Sequence, residues 1–144
     1  METKISILIV DDDEGDRRQI KRALKEARVL CECTEAWDVE EAMDACEARA
    51  FDCAVIDYRL PGADGLAALT TLHDLYPNMA IVMSTGRVDG ELAAEAMKRG
   101  ACDFISKTNL DARSMRASIA MAVGRLRLER EDGLGSRPTE LREV

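Results

Sequence analysis

The chain has 144 residues, 47% apolar and 33% charged, with 28 acidic against 20 basic side chains and a net charge of −8. That length and balance favour one soluble globular domain that buries enough surface to fold without covalent staples. The acidic excess argues against docking on a nucleic-acid backbone or on anionic lipid, and no apolar stretch of about 18 residues is there to span a bilayer.

Met1-Glu2-Thr3-Lys4 leads straight into an apolar run and lacks a secretory pattern, so a cytoplasmic location is expected. Ile5-Ser6-Ile7-Leu8-Ile9-Val10 predicts a buried strand. Asp11, Asp12 and Asp13 end it, and Asp13 is placed to cap a helix beginning near Glu14, with Ile20, Leu24 and Ala27 on its buried face. Cys31 to Ala36 predicts a second strand. A helix follows from Asp38-Val39-Glu40-Glu41 to about Arg49, with Val39, Ala42, Met43 and Cys46 as its apolar stripe.

Phe51 to Ile56 predicts the third strand, ending at Asp57, and 60–65 is rich in turn residues. Leu66, Leu69, Leu72 and Leu75 carry the next helix, with Pro77 beyond its end. Ala80 to Ser84 predicts strand four, followed by Thr85 and Gly86. A helix from about Gly90 stops at Gly100, and Asp103 to Ser106 predicts strand five, with Lys107 directly after it. The last helix is expected from about Ala112 to Arg130. Residues 1–130 then form the domain, and 131–144 are expected to be a mobile polar tail.

Strand and helix alternate five times, which predicts an α/β fold with helices on both faces of a parallel sheet. The flavodoxin-like, doubly wound order 2-1-3-4-5, with five helices, reverses between strands one and three. Ligands bind at that reversal, outside the carboxyl ends of the strands. Asp11, Asp12, Asp57, Thr85 and Lys107 all fall at those ends.

Three clustered carboxylates repel one another unless a cation joins them, and Mg²⁺ suits oxygen ligands of this kind. Asp57 then has the character of a nucleophile toward a phosphoryl donor, with Lys107 and the Thr85 hydroxyl meeting the transferred oxygens. The cysteines (Cys31, Cys33, Cys46, Cys53, Cys102) include no CxxC pair, and His73 is the single histidine. Zinc is thereby disfavoured, and the thiols read as small reduced hydrophobes. His73 falls on the polar side of the Leu66–Leu75 stripe and reads as a surface residue.

Ile-Leu-Ile-Val-Asp-Asp-Asp at 7–13 resembles the opening of two-component response-regulator receiver domains of the chemotaxis-regulator kind. So do Val-Ile-Asp-Tyr-Arg-Leu-Pro-Gly-Ala-Asp-Gly at 55–65, Ser-Thr-Gly at 84–86 and Gly-Ala-Cys-Asp-Phe-Ile-Ser-Lys at 100–107. The likeness covers about residues 5–130. It implies Asp57 as phosphoacceptor, Asp11 and Asp12 as acidic metal-site residues, and the Arg59 backbone carbonyl as a further Mg²⁺ ligand. Thr85 and Lys107 would contact the phosphoryl group. Phe104 would occupy the switching aromatic position beneath the face of helix four, strand five and helix five. Three positions depart from the pattern: Thr108 stands where Pro usually gives a cis peptide, Gly86 where Ala is common, and Phe104 where Tyr is frequent.

The function this implies is signalling rather than metabolic catalysis. A histidine kinase or phosphotransfer protein supplies the phosphoryl group, and a downstream protein reads the altered surface. Arg59 and Arg87, each two residues past a site residue, read either as solvated arginines or as guards of the hydrolytic water. The charged end of the last helix has three readings: a solvated run-on, a signalling helix, or a homodimer contact. Two rival functions are a pseudo-receiver scaffold and a haloacid-dehalogenase-like phosphatase using Asp11.

Overall fold

Strands that bury both faces belong inside a parallel sheet covered by helices above and below. A computed structural model describes residues 4–86 and 89–136, with side chains as far as Gly124. The elements in chain order are β1 (Ile5–Val10), α1 (Glu14–Glu26), β2 (Cys31–Ala36), α2 (Val39–Ala48), β3 (Cys53–Asp57), β4 (Arg59–Leu60), β5 (Ala63–Asp64), α3 (Gly65–Leu75), β6 (Ala80–Thr85), α4 (Gly90–Lys98), β7 (Asp103–Ser106) and α5 (Ala112–Ser136). Five strands form one parallel sheet in the order β2-β1-β3-β6-β7. This is the expected 2-1-3-4-5 winding, with its reversal between β1 and β3. No described helix is long and apolar enough to cross a membrane.

Alternate residues of the central strands feed two cores. Leu8, Val10, Ala54, Ile56, Ile81 and Met83 pack on one face with Ala42 of α2, Leu69 and Leu72 of α3 and Ala96 of α4. Ile7, Ile9, Val55 and Val82 pack on the other with Ile20 and Leu24 of α1 and Met115 and Ile119 of α5. Every residue of β3 and β6 is buried. The continuous apolar runs, with no polar alternation, are what drives these strands to the middle of the sheet.

Aspartates start all five α-helices. Asp13, Asp38, Asp64, Asp89 and Asp111 accept hydrogen bonds from amides of the first turn of α1, α2, α3, α4 and α5. Much of the acidic excess is therefore spent on caps, each worth about 1 kcal/mol. The cysteines are all free thiols.

Some expectations are revised. The turn-rich segment after Asp57 closes as a hairpin, β4 against β5, with Arg59 opposite Asp64 and Leu60 opposite Ala63. Pro61 presets the turn, and Gly62 supplies the left-handed residue at φ +67°. Strand three begins at Cys53 rather than Phe51 and includes Asp57. His73 is half-buried rather than on the surface, because Gly100 (φ +115°) leaves room for its ring. A Cβ on Gly100 would lie 2.5 Å from His73 Cδ2. The Lys107–Thr108 peptide is trans, and Lys107–Asn109 forms a 3-10 turn capped by Ser106. Helix α5 continues to Ser136, six residues past Arg130, although Gly133 and Gly135 in that stretch are weak helix formers. The rest of the expected tail, 137–144, lies outside the described residues.

Gly65 is where the loop after Asp57 is pinned. Its amide donates to the Tyr58 carbonyl at 2.8 Å, and a Cβ there would sit 2.3 Å from that oxygen. Gly65→Ala should lower unfolding stability by about 2 kcal/mol or more, since backbone rather than a flexible side chain must yield. Urea denaturation reads this directly, and an unchanged midpoint would contradict the close approach.

Candidate functional site

The parallel register brings the strand ends to one rim. Val10 lies beside Ile56, Asp57 beside Ser84 and Thr85 beside Ser106. Asp11 and Asp12 follow β1, Asp57 ends β3, Thr85 ends β6, and Lys107 opens the turn after β7.

Asp11 is wholly buried, Asp57 and Thr85 are each 5% exposed, and Asp12 faces solvent. One carboxylate oxygen from each of Asp11, Asp12 and Asp57 lies within 4.8 Å of the others. The Lys107 ammonium reaches into this group. Its Nζ is 2.7 Å from Asp11 Oδ2, 3.1 Å from Asp57 Oδ2 and 2.7 Å from Asp16 Oδ2.

Backbone contacts hold the carboxylates in place. Asp11 Oδ1 accepts the Asp13 amide at 2.9 Å, and Asp57 Oδ1 accepts the Arg59 amide at 3.3 Å. Arg17 of α1 donates from one guanidinium nitrogen to the Asp11 carbonyl and from Nε to Glu35, both at 2.8 Å, tying β1 and β2 together at the rim.

Burial pushes the Asp11 and Asp57 carboxyls above their ordinary value, against the pull of Lys107. Burial also works against the charge of Lys107, but its contacts with Asp11 and Asp16 and the field of Asp57 outweigh it. The ammonium is therefore held above the usual lysine value. The lysine stays charged, while the carboxylates remain short of positive charge.

The donor set fits a hard divalent cation. Asp11 Oδ2 is buried and sits close to the ammonium but outside its hydrogen-bonding direction, so its lone pairs are poorly used. Three carboxylates with oxygens this near one another offer at least the one or two through which Mg²⁺ is usually held while it keeps several waters.

The remaining expected residues distribute as follows. Arg59, exposed, lines an open cavity together with Asp57, Thr85, Gly86, Lys107 and Asp16. Its amide, not its carbonyl, makes the observed contact with Asp57. Phe104 is half-buried in β7, paired with Met83 and packed against the core on that face. Arg87 lies outside the described residues. Asp16 was not anticipated as a site residue. Its place in the first turn of α1, where its amide donates to the capping Asp13, explains an acid there by the helix dipole alone.

Comparison with known proteins agrees with this geometry. The family model described as the response regulator receiver domain matches residues 7–120. The transcriptional regulatory protein FixJ of Bradyrhizobium diazoefficiens is 36% identical over 107 residues, which are 74% of this chain and 51% of that protein. The crystal structure of NtrX from Brucella abortus superposes with a TM-score of 0.84 at 30% identity, over 99% of this chain and 32% of that one. A response regulator from Burkholderia pseudomallei, solved with a phosphorylated aspartic acid, a calcium ion and citrate, gives a TM-score of 0.72 at 25% identity, over 93% and 76%. The chain spans about half or less of the length of curated relatives such as FixJ and the NtrC of Klebsiella pneumoniae, of which it covers 21%. By the extent of the family match, and by the acidic rim that carries its motifs, this chain belongs to the response regulator receiver domains of two-component systems.

Proposed function

We propose that Asp57 accepts a phosphoryl group from a histidine kinase or phosphotransfer protein in a Mg²⁺-dependent reaction. The observation that carries this is the buried Asp57 carboxylate, 3.1 Å from the Lys107 ammonium and within 4.8 Å of Asp11 and Asp12. An Asp57 oxygen forms the new P–O bond as the P–N bond of the donor breaks. The electron pair leaves with the imidazole nitrogen, which takes up a proton. Asp11, Asp12, Asp57 and the Arg59 carbonyl would hold the Mg²⁺, which supplies charge neutralisation for the carboxylates and a phosphoryl oxygen.

Lys107 and the Thr85 hydroxyl donate to the other phosphoryl oxygens, Lys107 from its observed place beside Asp57 and Thr85 from the cavity wall. Water later attacks phosphorus, and Asp57 leaves as a carboxylate. The Arg59 side chain, at the cavity mouth, and Arg87 are offered as the residues that govern entry of that water. The signal leaves through the face of α4, β7 and α5, with Phe104 as the reporting aromatic, toward a cytoplasmic protein partner. The Burkholderia pseudomallei response regulator, whose structure holds a phosphorylated aspartic acid, supports the same chemistry here.

Incubation with acetyl phosphate and Mg²⁺ should add the mass of one phosphoryl group, released by hydroxylamine as an acyl phosphate is. Absence of any adduct would leave a constitutive binding scaffold. Turnover of a small phosphomonoester that is lost on changing Asp11 but not Asp57 would instead indicate a phosphatase.

A further inference from the structure

An ammonium has three N–H donors. Those of Lys107 face three carboxylates: Asp11 and Asp16 at 2.7 Å and Asp57 at 3.1 Å. The contact with Asp16 is a well-directed hydrogen bond from Nζ to Oδ2, and it joins residues 91 positions apart. The contact with Asp11 is close but poorly directed. The contact with Asp57, the residue that must react, is the longest of the three. Asp16 also lines the cavity that opens over Asp57, Thr85 and Lys107.

A phosphoryl oxygen arriving on Asp57 can gain a donor from Lys107 only if an existing contact lengthens. Asp11 and Asp57 belong to the group that a divalent cation would satisfy. Asp16 lies outside that group, on α1, so a cation held by the group would not take over the carboxylate that Lys107 meets there.

On the reading of Asp57 as phosphoacceptor, we propose that Asp16 is a positioning residue. It holds the Lys107 ammonium toward α1 and competes with the phosphoryl group for it, favouring the unphosphorylated state. The competition is between two acceptors for one donor, so it works through Lys107 and vanishes without it. Asp16 has no role in holding the cation. A charge-bearing replacement of similar reach preserves the competition, and a neutral one relaxes it.

Beryllium fluoride, which adds to a carboxylate as a tetrahedral mimic of an acyl phosphate, tests this at equilibrium. Titration is done with the full chain at saturating Mg²⁺, with thermal unfolding confirming that each variant folds. Asp16→Asn should bind about fivefold more tightly than the unchanged protein, the scale of one partly exposed charge-assisted hydrogen bond. Asp16→Glu should return the affinity toward the starting value. In a Lys107→Ala background, Asp16→Asn should change nothing, which is the signature of action through the lysine.

Equal affinity of Asp16→Asn and the unchanged protein overturns the proposal. So does a gain that survives in the Lys107→Ala background, which would mean simple repulsion between Asp16 and the ligand. If the unchanged protein takes up neither beryllium fluoride nor phosphate, the phosphoacceptor reading falls with it. Normal uptake with no effect at Asp16 removes only the role of Asp16.

Discussion

Replacing Asp57 with Asn is expected to abolish phosphoryl uptake and, in the same molecule, to raise the melting temperature of the metal-free protein. The first effect follows from removal of the nucleophile. An amide oxygen keeps the shape and the acceptor for the Arg59 amide, but it cannot form a stable acyl phosphate. The second follows from burial. The Asp57 carboxyl is pushed upward because its charge is desolvated beside Asp11 and Asp12. A neutral side chain ends that penalty, and Lys107 keeps Asp11 and Asp16 as partners. The gain should be on the order of 1 kcal/mol, a rise of about 3 °C in a chain of this size. Added Mg²⁺ should stabilise the variant less than the unchanged protein, since one of three carboxylates is gone. Differential scanning calorimetry with and without Mg²⁺ reads both quantities. A metal-free variant that melts lower would mean that the Asp57 charge is well satisfied by Lys107 alone.

The main residues of the site were legible because each closes an apolar run. A buried strand fixes the depth of its last residue, and parallel pairing puts all such residues on one rim. Asp11, Asp12, Asp57, Thr85 and Lys107 could be placed together on that basis without any knowledge of side-chain contacts. Asp16 could not. It sits three residues after a cap, where an acid is ordinary, and its partner is 91 residues away. Only the packing of α1 and α5 on the same face of the sheet, beside the turn at Lys107, joins them. The hairpin at 59–64 was equally hidden, since strands of two residues carry no periodicity to read. His73 was misplaced because its position on the helix stripe is polar. The space that buries it comes from a missing side chain at Gly100, on a different element.

Lys107→Ala should produce the largest loss of stability of any single change at the rim, and the loss should depend on pH. The ammonium is largely buried, its side chain 15% exposed, and it faces the wholly buried Asp11 and the nearly buried Asp57. Removing it leaves those charges uncompensated, at a cost of about 3 kcal/mol near neutrality. Both carboxyls already lie above their ordinary value through burial, and losing the ammonium raises them further. Between the unfolded carboxyl value of about 4 and the raised folded values, the native variant binds protons that the unfolded chain does not. Its stability therefore falls as pH rises through that window. Below the window both states are protonated and the penalty is smallest. Urea denaturation of the metal-free proteins at a series of pH values should show the gap between variant and unchanged protein opening as pH increases. Mg²⁺ should close much of that gap at neutral pH, because a cation held by Asp11, Asp12 and Asp57 supplies the charge that the lysine no longer does. A gap that stays constant with pH and is indifferent to Mg²⁺ would mean that Lys107 stabilises the rim by packing its stem, and that the carboxylates do not act as one charged group.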